Sequence, residues 1–236
     1  MKKLSIILLS MLLIVAGCKK DEDPKLTIDK STSQLTYHGT EQLKANVNCT
    51  WISSDTTVAI VSKTGLVTAE KIGSAKITAK ASNGQTAECT VTVNPRSNLF
   101  KEPIISYGSS ISYIKSNETR VLDYEDSESL GYLGENNNVL ALVYLFDASK
   151  LYAADVILNE AVGLASAKEF IEERYAYADQ VEGYPVYVDE NYNLVYVNID
   201  PTLGLNIMYL TVNKKSGGLD FIKKSIASAK RCISIQ

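Results

Sequence analysis

The chain has 236 residues, 45% of them hydrophobic and 22% charged, with a formal net charge of −3. That length fits one or two domains, and the ordinary composition excludes wholesale disorder. A single His and four scattered Cys argue against a zinc cluster or a Cys–His nucleophile, and the weakly acidic balance argues against a nucleic-acid partner.

Residues 1–18 read MKKLSIILLSMLLIVAGC. Lys2 and Lys3 precede an apolar stretch from Leu4 to Ala16. As a helix this stretch spans roughly 20 Å, short of the ~30 Å hydrocarbon core, so it reads as a secretory leader rather than a permanent anchor. Val15-Ala16-Gly17-Cys18 resembles the lipobox of bacterial lipoproteins. The resemblance implies that Cys18 is lipidated and becomes the first residue of the mature chain. Several acyl chains hold durably where one binds reversibly, since each buried methylene contributes about 0.8 kcal/mol. Residues 19–24 (KKDEDP) form a charged linker. A cysteine followed by a short acidic run is similar to the export tract of Bacteroidetes surface lipoproteins, which implies outer-membrane attachment with exposure on the cell surface. Attachment facing the periplasm is the alternative.

From residue 25 to 95 the pattern is short alternating runs between turn residues. The expected strands are 26–29, 34–37, 41–47, 50–54, 58–61, 65–69, 74–81 and 88–93. Short strands at this spacing within about 70 residues predict a β-sandwich. Trp51-Ile52-Ser53-Ser54-Asp55, Val58 to Val61, Gly65 to Ala69, Gly73 to Ala79 and Cys89 to Val93 resemble, in order and spacing, the group 2 bacterial immunoglobulin-like domain. The resemblance implies an Ig-like sandwich used as a spacer or adhesive module, with no catalytic residues. Trp51 reads as the large core filler, and Gly65 and Gly73 as turn residues. Cys49 and Cys89 fall on inward faces. A disulfide between them would close a loop of about 40 residues and add ~3–4 kcal/mol; two separate buried thiols are the alternative. His38, beside Gly39, reads as a turn residue without a partner for metal binding.

Pro95-Arg96-Ser97-Asn98 breaks the pattern, and residues 96–236 read as a second domain. Thirteen of the fourteen tyrosines lie here, with nineteen Asp and Glu against thirteen Lys and Arg. Strands are expected at 111–114, 120–124, 139–146, 151–158, 184–188, 194–199 and 205–212, with a helical turn in the acidic stretch 126–134. Ser166 and Glu169 form a capping box ahead of Ala167, Phe170 and Ile171, which predicts a helix, and an amphipathic helix closes the chain over about 218–230. The fold class is therefore an all-β Ig-like sandwich followed by a two-layer α+β domain with an antiparallel sheet.

No catalytic residue, metal site or cofactor is assigned. The cluster Glu118, Asp123, Glu125, Asp126 and Glu128 lacks the ligand spacing and turn glycine of a calcium loop, and reads as a solvated acidic loop. Tyr175, Tyr177, Tyr184 and Tyr192 cluster around the predicted helix end and the turns after it. They are the expected binding surface for a glycan or a protein, because Tyr supplies contact area at little entropic loss. Packing of a small sheet is the competing use of these rings. Cys232 has no partner within the second domain and is expected beneath the last helix. The sequence reads as a non-enzymatic envelope lipoprotein in which an Ig-like stalk presents a binding domain. A periplasm-facing assembly factor and a hydrolase of unrecognised type are the rivals.

Overall fold

The computed structural model describes residues 24–211 except 182, 190, 192 and 202. Cys18, Tyr192, Cys232 and the expected helix at 218–230 lie outside the described residues.

The first unit is a sandwich of two sheets. One runs β1(Thr32–Thr36), β7(Thr86–Asn94), β6(Gly73–Ala81), β3(Cys49–Ser53), and the other β2(Thr40–Gln42), β5(Leu66–Ala69), β4(Ala59–Val61). Strand β1 lies parallel to β7, with Thr32 opposite Thr90 and Thr36 opposite Asn94, whereas β6 pairs antiparallel with both β7 and β3. Alternation places Ala75, Ile77, Cys89, Val91 and Val93 inward, where they meet Val67 and Ala69 of the facing sheet, while Ala79 joins Leu26 and Ala81 in a second cluster. Trp51 is half-buried and packs against both apolar clusters of the unit. The expected strand at 41–47 is only β2 long, because Leu43 turns into the core and its N–H bonds Gly65 O at 2.9 Å. The expected strand at 26–29 is reduced to one bridge between Ile28 and Ala45.

The second unit is built on one eight-stranded sheet, ordered β12(Ala176–Val181), β13(Tyr184–Val188), β14(Leu194–Asp200), β15(Gly204–Leu210), β11(Lys150–Leu158), β10(Val139–Asp147), β9(Ser129–Leu133), β8(Leu122–Glu125). Every pairing is antiparallel. Two four-stranded meanders thus meet edge to edge where β15 joins β11, and α2(Leu164–Glu172) carries the chain from one to the other. Helices α1(Ile111–Asn117) and α2 pack on the same sheet face, where Ile114, Ala167, Phe170 and Ile171 meet Leu142, Val156 and Ile207. The opposite face carries a second buried set that includes Val143, Leu145, Val186, Tyr196 and Met208. This is the expected α+β class with an antiparallel sheet.

Three local expectations are corrected, and one strand appears that none of them covered. Residues 111–114 begin a helix, not a strand: the Ser110 hydroxyl accepts the Tyr113 N–H at 3.2 Å as an N-cap. Stretch 126–134 contains strand β9, entered through a turn in which Asp126 Oδ1 accepts the N–H groups of Glu128 and Ser129 at 2.8 and 2.7 Å. Helix α2 starts at Leu164 with Gly163 as its cap, so Ser166 lies inside the helix. Strand β12 has no sequence signal: residues 176–180 are all exposed, and only pairing with β13 makes the segment a strand.

Candidate functional site

Helix α2 ends in Glu172-Glu173-Arg174, two carboxylates where the helix dipole disfavours negative charge. The partners that compensate lie at the junction of the two units. Glu173 is fully buried, and its carboxylate accepts the N–H of Arg96 at 2.8 Å, the N–H of Ser97 at 3.1 Å and a short bond from Arg174 Nη1. Arg174 also donates to Phe170 O at 2.8 Å and Ser97 O at 3.1 Å, and its guanidinium lies 3.7 Å above the Phe170 ring. From the sandwich, Ile72 N–H donates to Glu173 O at 2.8 Å and Lys71 Nζ to Glu172 O at 3.1 Å. Arg96 adds an ion pair to Glu169 at 3.7 Å.

Beside this junction is a cleft of about 510 Å³ whose walls come from both units. The sandwich contributes Asp55, Val58 and Lys71, and the second unit contributes Arg174, Val188 and Asp189. Burial depresses the Lys71 pKa against the opposing charges of Glu70 and Glu172. Asp55 is held below the ordinary carboxylate range, chiefly by the Thr57 hydroxyl and then by the Thr57 N–H. These residues are far apart in sequence and carry no motif. The one legible hint was the acidic helix end, which demands a tertiary partner.

Among the described residues, Tyr175, Tyr177 and Tyr184 of the expected tyrosine surface do not form one patch. Tyr175 is buried, packs edge-on to Tyr209 at 6.1 Å between centroids, and gives its hydroxyl to Glu102. Tyr177 is 58% exposed and sits edge-on to buried Tyr187 on the helix-bearing face. Tyr184 packs against Tyr196 on the opposite face. Tyr132, Tyr144, Tyr187, Tyr196 and Tyr209 are likewise core residues. Their hydroxyls repeatedly meet carboxylates: Tyr144 donates to Glu118 Oε2 at 2.6 Å and Tyr187 to Glu172 Oε1 at 3.0 Å. Sheet packing, the competing reading, accounts for the buried rings, while Tyr177 remains largely exposed.

The acidic cluster is also dispersed. Glu118 lies buried against Arg120, with Nη1 at 2.9 Å, while Arg120 Nε reaches Glu135 at 2.6 Å. Burial works to raise the Glu118 pKa, but the Tyr144 hydroxyl, the Arg120 N–H and the Arg120 charge bring it below its ordinary value. Glu125 pairs with Lys115 at 2.6 Å. Among the described residues, no three His, Cys, Asp or Glu side chains are grouped to hold a metal.

Cys49 and Cys89 are free thiols, so the disulfide expectation is corrected. Both belong to one sheet, but β6 separates them, and they lie opposite Ala81 and Ile77, four residues apart along it. Strand spacing and rise put their Cα atoms roughly 16 Å apart, beyond the ~7 Å reach of a disulfide. His38 occupies an exposed turn at φ 61°, with its ring 3.7 Å from that of Tyr37.

Among curated proteins, a lacto-N-biosidase of Bifidobacterium bifidum is 45% identical over 69 residues, covering 29% of this chain and 6% of the relative. An uncharacterized protein of Clostridium acetobutylicum is 38% identical over 81 residues, covering 34% of this chain and 8% of the relative. The chain thus spans less than a tenth of the length of these relatives. Among solved structures, an intimin–Tir90 complex is similar over 29% of this chain and 45% of that chain, at 26% identity and a TM-score of 0.27. An EHEC O157:H7 intimin mutant is similar over 78% of this chain and 98% of that chain, at 13% identity and a TM-score of 0.28. The family of bacterial Ig-like domains (group 2) matches residues 22–91, and this segment of the chain carries such a domain.

Proposed function

We propose that the protein is a non-enzymatic lipoprotein of the bacterial outer membrane, anchored through Cys18 and exposed on the cell surface. Its Ig-like unit acts as a stalk, and the second unit is the head that contacts a glycan or a protein. The observation that carries this reading is the docking of the two units through Glu173. It joins the Ig-like domain to the head over a buried, fully hydrogen-bonded carboxylate, as a presenting arm requires.

Protease treatment of intact cells tests the placement. A surface protein is degraded, whereas a periplasm-facing assembly factor is protected until the outer membrane is opened. Cys18→Ala is expected to release the protein from the membrane fraction. A glycan array and a pull-down with the purified protein test the binding role, and absence of any binder in both defeats it.

A further inference from the structure

The cleft between the units is unevenly supplied with charge. Its two acids are largely occupied by their own turns. Asp55 Oδ1 accepts the Thr57 N–H at 2.9 Å and the Thr57 hydroxyl at 2.6 Å. Asp189 accepts the N–H groups of Asn191 and Asn193 and the Asn193 side-chain amide, each at 2.8 Å. Among the described lining residues, Lys71 is the cation with unused donors, whereas the charge of Arg174 is met by Glu173 and Glu102. Lys71, about half-buried, makes one hydrogen bond, to the Glu172 carbonyl, and among the described residues no carboxylate reaches ion-pairing distance of its ammonium. Arg174, whose side chain is 9% exposed, has a buried Nε without a hydrogen-bond partner, 3.5 Å from Glu102 Oε2. A partly desolvated ammonium with free donors is a site for an anion, since its attraction is little screened there.

The rest of the lining narrows the ligand. Val58, Ile105 and Val188 offer aliphatic surface, and Thr57 and Asn191 are neutral polar residues that suit hydroxyls. A cleft of about 510 Å³ has the size of a small-ligand pocket and takes a compact ring rather than an extended chain. We propose that this cleft binds an acidic sugar unit of a glycan, its carboxylate paired with Lys71 Nζ and its ring held between the two units. This deepens the binding reading above by naming a ligand class and placing it at the junction rather than on the tyrosines.

Calorimetric titration of the purified protein with glucuronate, N-acetylneuraminate, glucose and the peptide Gly-Asp-Gly tests it. At least one acidic sugar is expected to bind tenfold or more tightly than glucose and the peptide, and more weakly as salt rises. Lys71→Met should weaken that binding tenfold or more, and Lys71→Arg should retain it within about threefold. Equal affinity for glucose overturns the proposal, as does tighter binding of the peptide, or an unchanged Lys71→Met with a wild-type melting temperature. An unfolded Lys71→Met transfers the test to Asn191→Ala, which must then weaken sugar binding. Failure of every sugar, alongside a protein captured in the pull-down, removes the cleft assignment and leaves the binding reading standing.

Discussion

Ile72 donates its backbone N–H to the carbonyl of Glu173 at 2.8 Å, tying a loop of the sandwich to the end of helix α2 in the second unit. The same glutamate holds the linker amides of Arg96 and Ser97 with its side chain, so one residue grips the junction from both ends. Glu173→Ala would leave two amides and the Arg174 guanidinium without their acceptor. A loss of about 3 kcal/mol is expected in chemical denaturation, and small-angle scattering should show a longer maximum dimension as the units separate.

Asp155 lies fully buried on β11, with both carboxyl oxygens facing Asn206 Nδ2 at 2.8 and 3.0 Å. Burial raises its pKa to about 7, the Asn206 hydrogen bond partly opposes this, and Asp200 adds to the rise. The folded state therefore holds a proton that the unfolded chain releases near the ordinary Asp value of about 4. Stability contributed by this site is fully present below about pH 4 and is lost as pH rises to about 7. Asp155→Asn imitates the protonated form. It should match the wild type at pH 4 and exceed it at pH 8 by up to about 4 kcal/mol, read from paired denaturation curves.

Gly65 sits at φ +85°, and a Cβ there would lie 2.6 Å from Leu43 O and 2.9 Å from Trp51 Cε2. Neither neighbour has room to move, because Leu43 N–H is bonded to Gly65 O and Trp51 lies within β3. Gly65→Ala should destabilise the sandwich by about 2–4 kcal/mol, with Trp fluorescence reporting the lowered midpoint.

Tyr144 donates to Glu118 and accepts the Ile104 N–H at 2.9 Å, which secures the segment entering the second unit. Tyr144→Phe keeps the ring in the core, strands the Ile104 N–H and leaves Glu118 Oε2 to Arg120 alone. The expected loss is about 2 kcal/mol, together with faster amide exchange at Ile104.

The thiols give a chemical check on the sheet order. Burial raises the pKa of both Cys49 and Cys89. Cys89 is expected to resist thiol reagents until the protein unfolds, Cys49 to react slowly, and reductant to leave the melting temperature unchanged. A Cys49–Cys89 linked peptide in a digest of the oxidised protein would contradict the arrangement.

Regular alternation made the sandwich readable, since Ala75 to Ala81 and Cys89 to Val93 place one side chain in two on a buried face. Central strands β10 and β11 were equally plain, because apolar residues on both parities fit a sheet covered on two sides. What escaped depended on neighbours. Strand β12 is exposed on every residue from 176 to 180 and exists through its hairpin. The cysteines share a face, yet parity cannot say how many strands separate two residues on it. Tyrosine enrichment coincides with the second unit, where Tyr132, Tyr144, Tyr175, Tyr187, Tyr196 and Tyr209 are buried in the sheet core. Tyr144, Tyr175 and Tyr187 each direct a hydroxyl at a glutamate, so the rings and the acidic composition belong to one core pattern. The cleft residues Lys71 and Arg174 were invisible because each is ordinary within its own unit.

The parallel register of β1 with β7 has a mechanical consequence. Tension between the N-terminal end of the sandwich and the second unit pulls β1 and β7 in opposite directions along their length. The five residue pairs from Thr32–Thr90 to Thr36–Asn94 are then loaded together in shear, rather than peeled apart one after another. A sandwich of this connectivity yields only when the whole ladder slips at once, so it resists a pull along the chain better than strands joined to peel would.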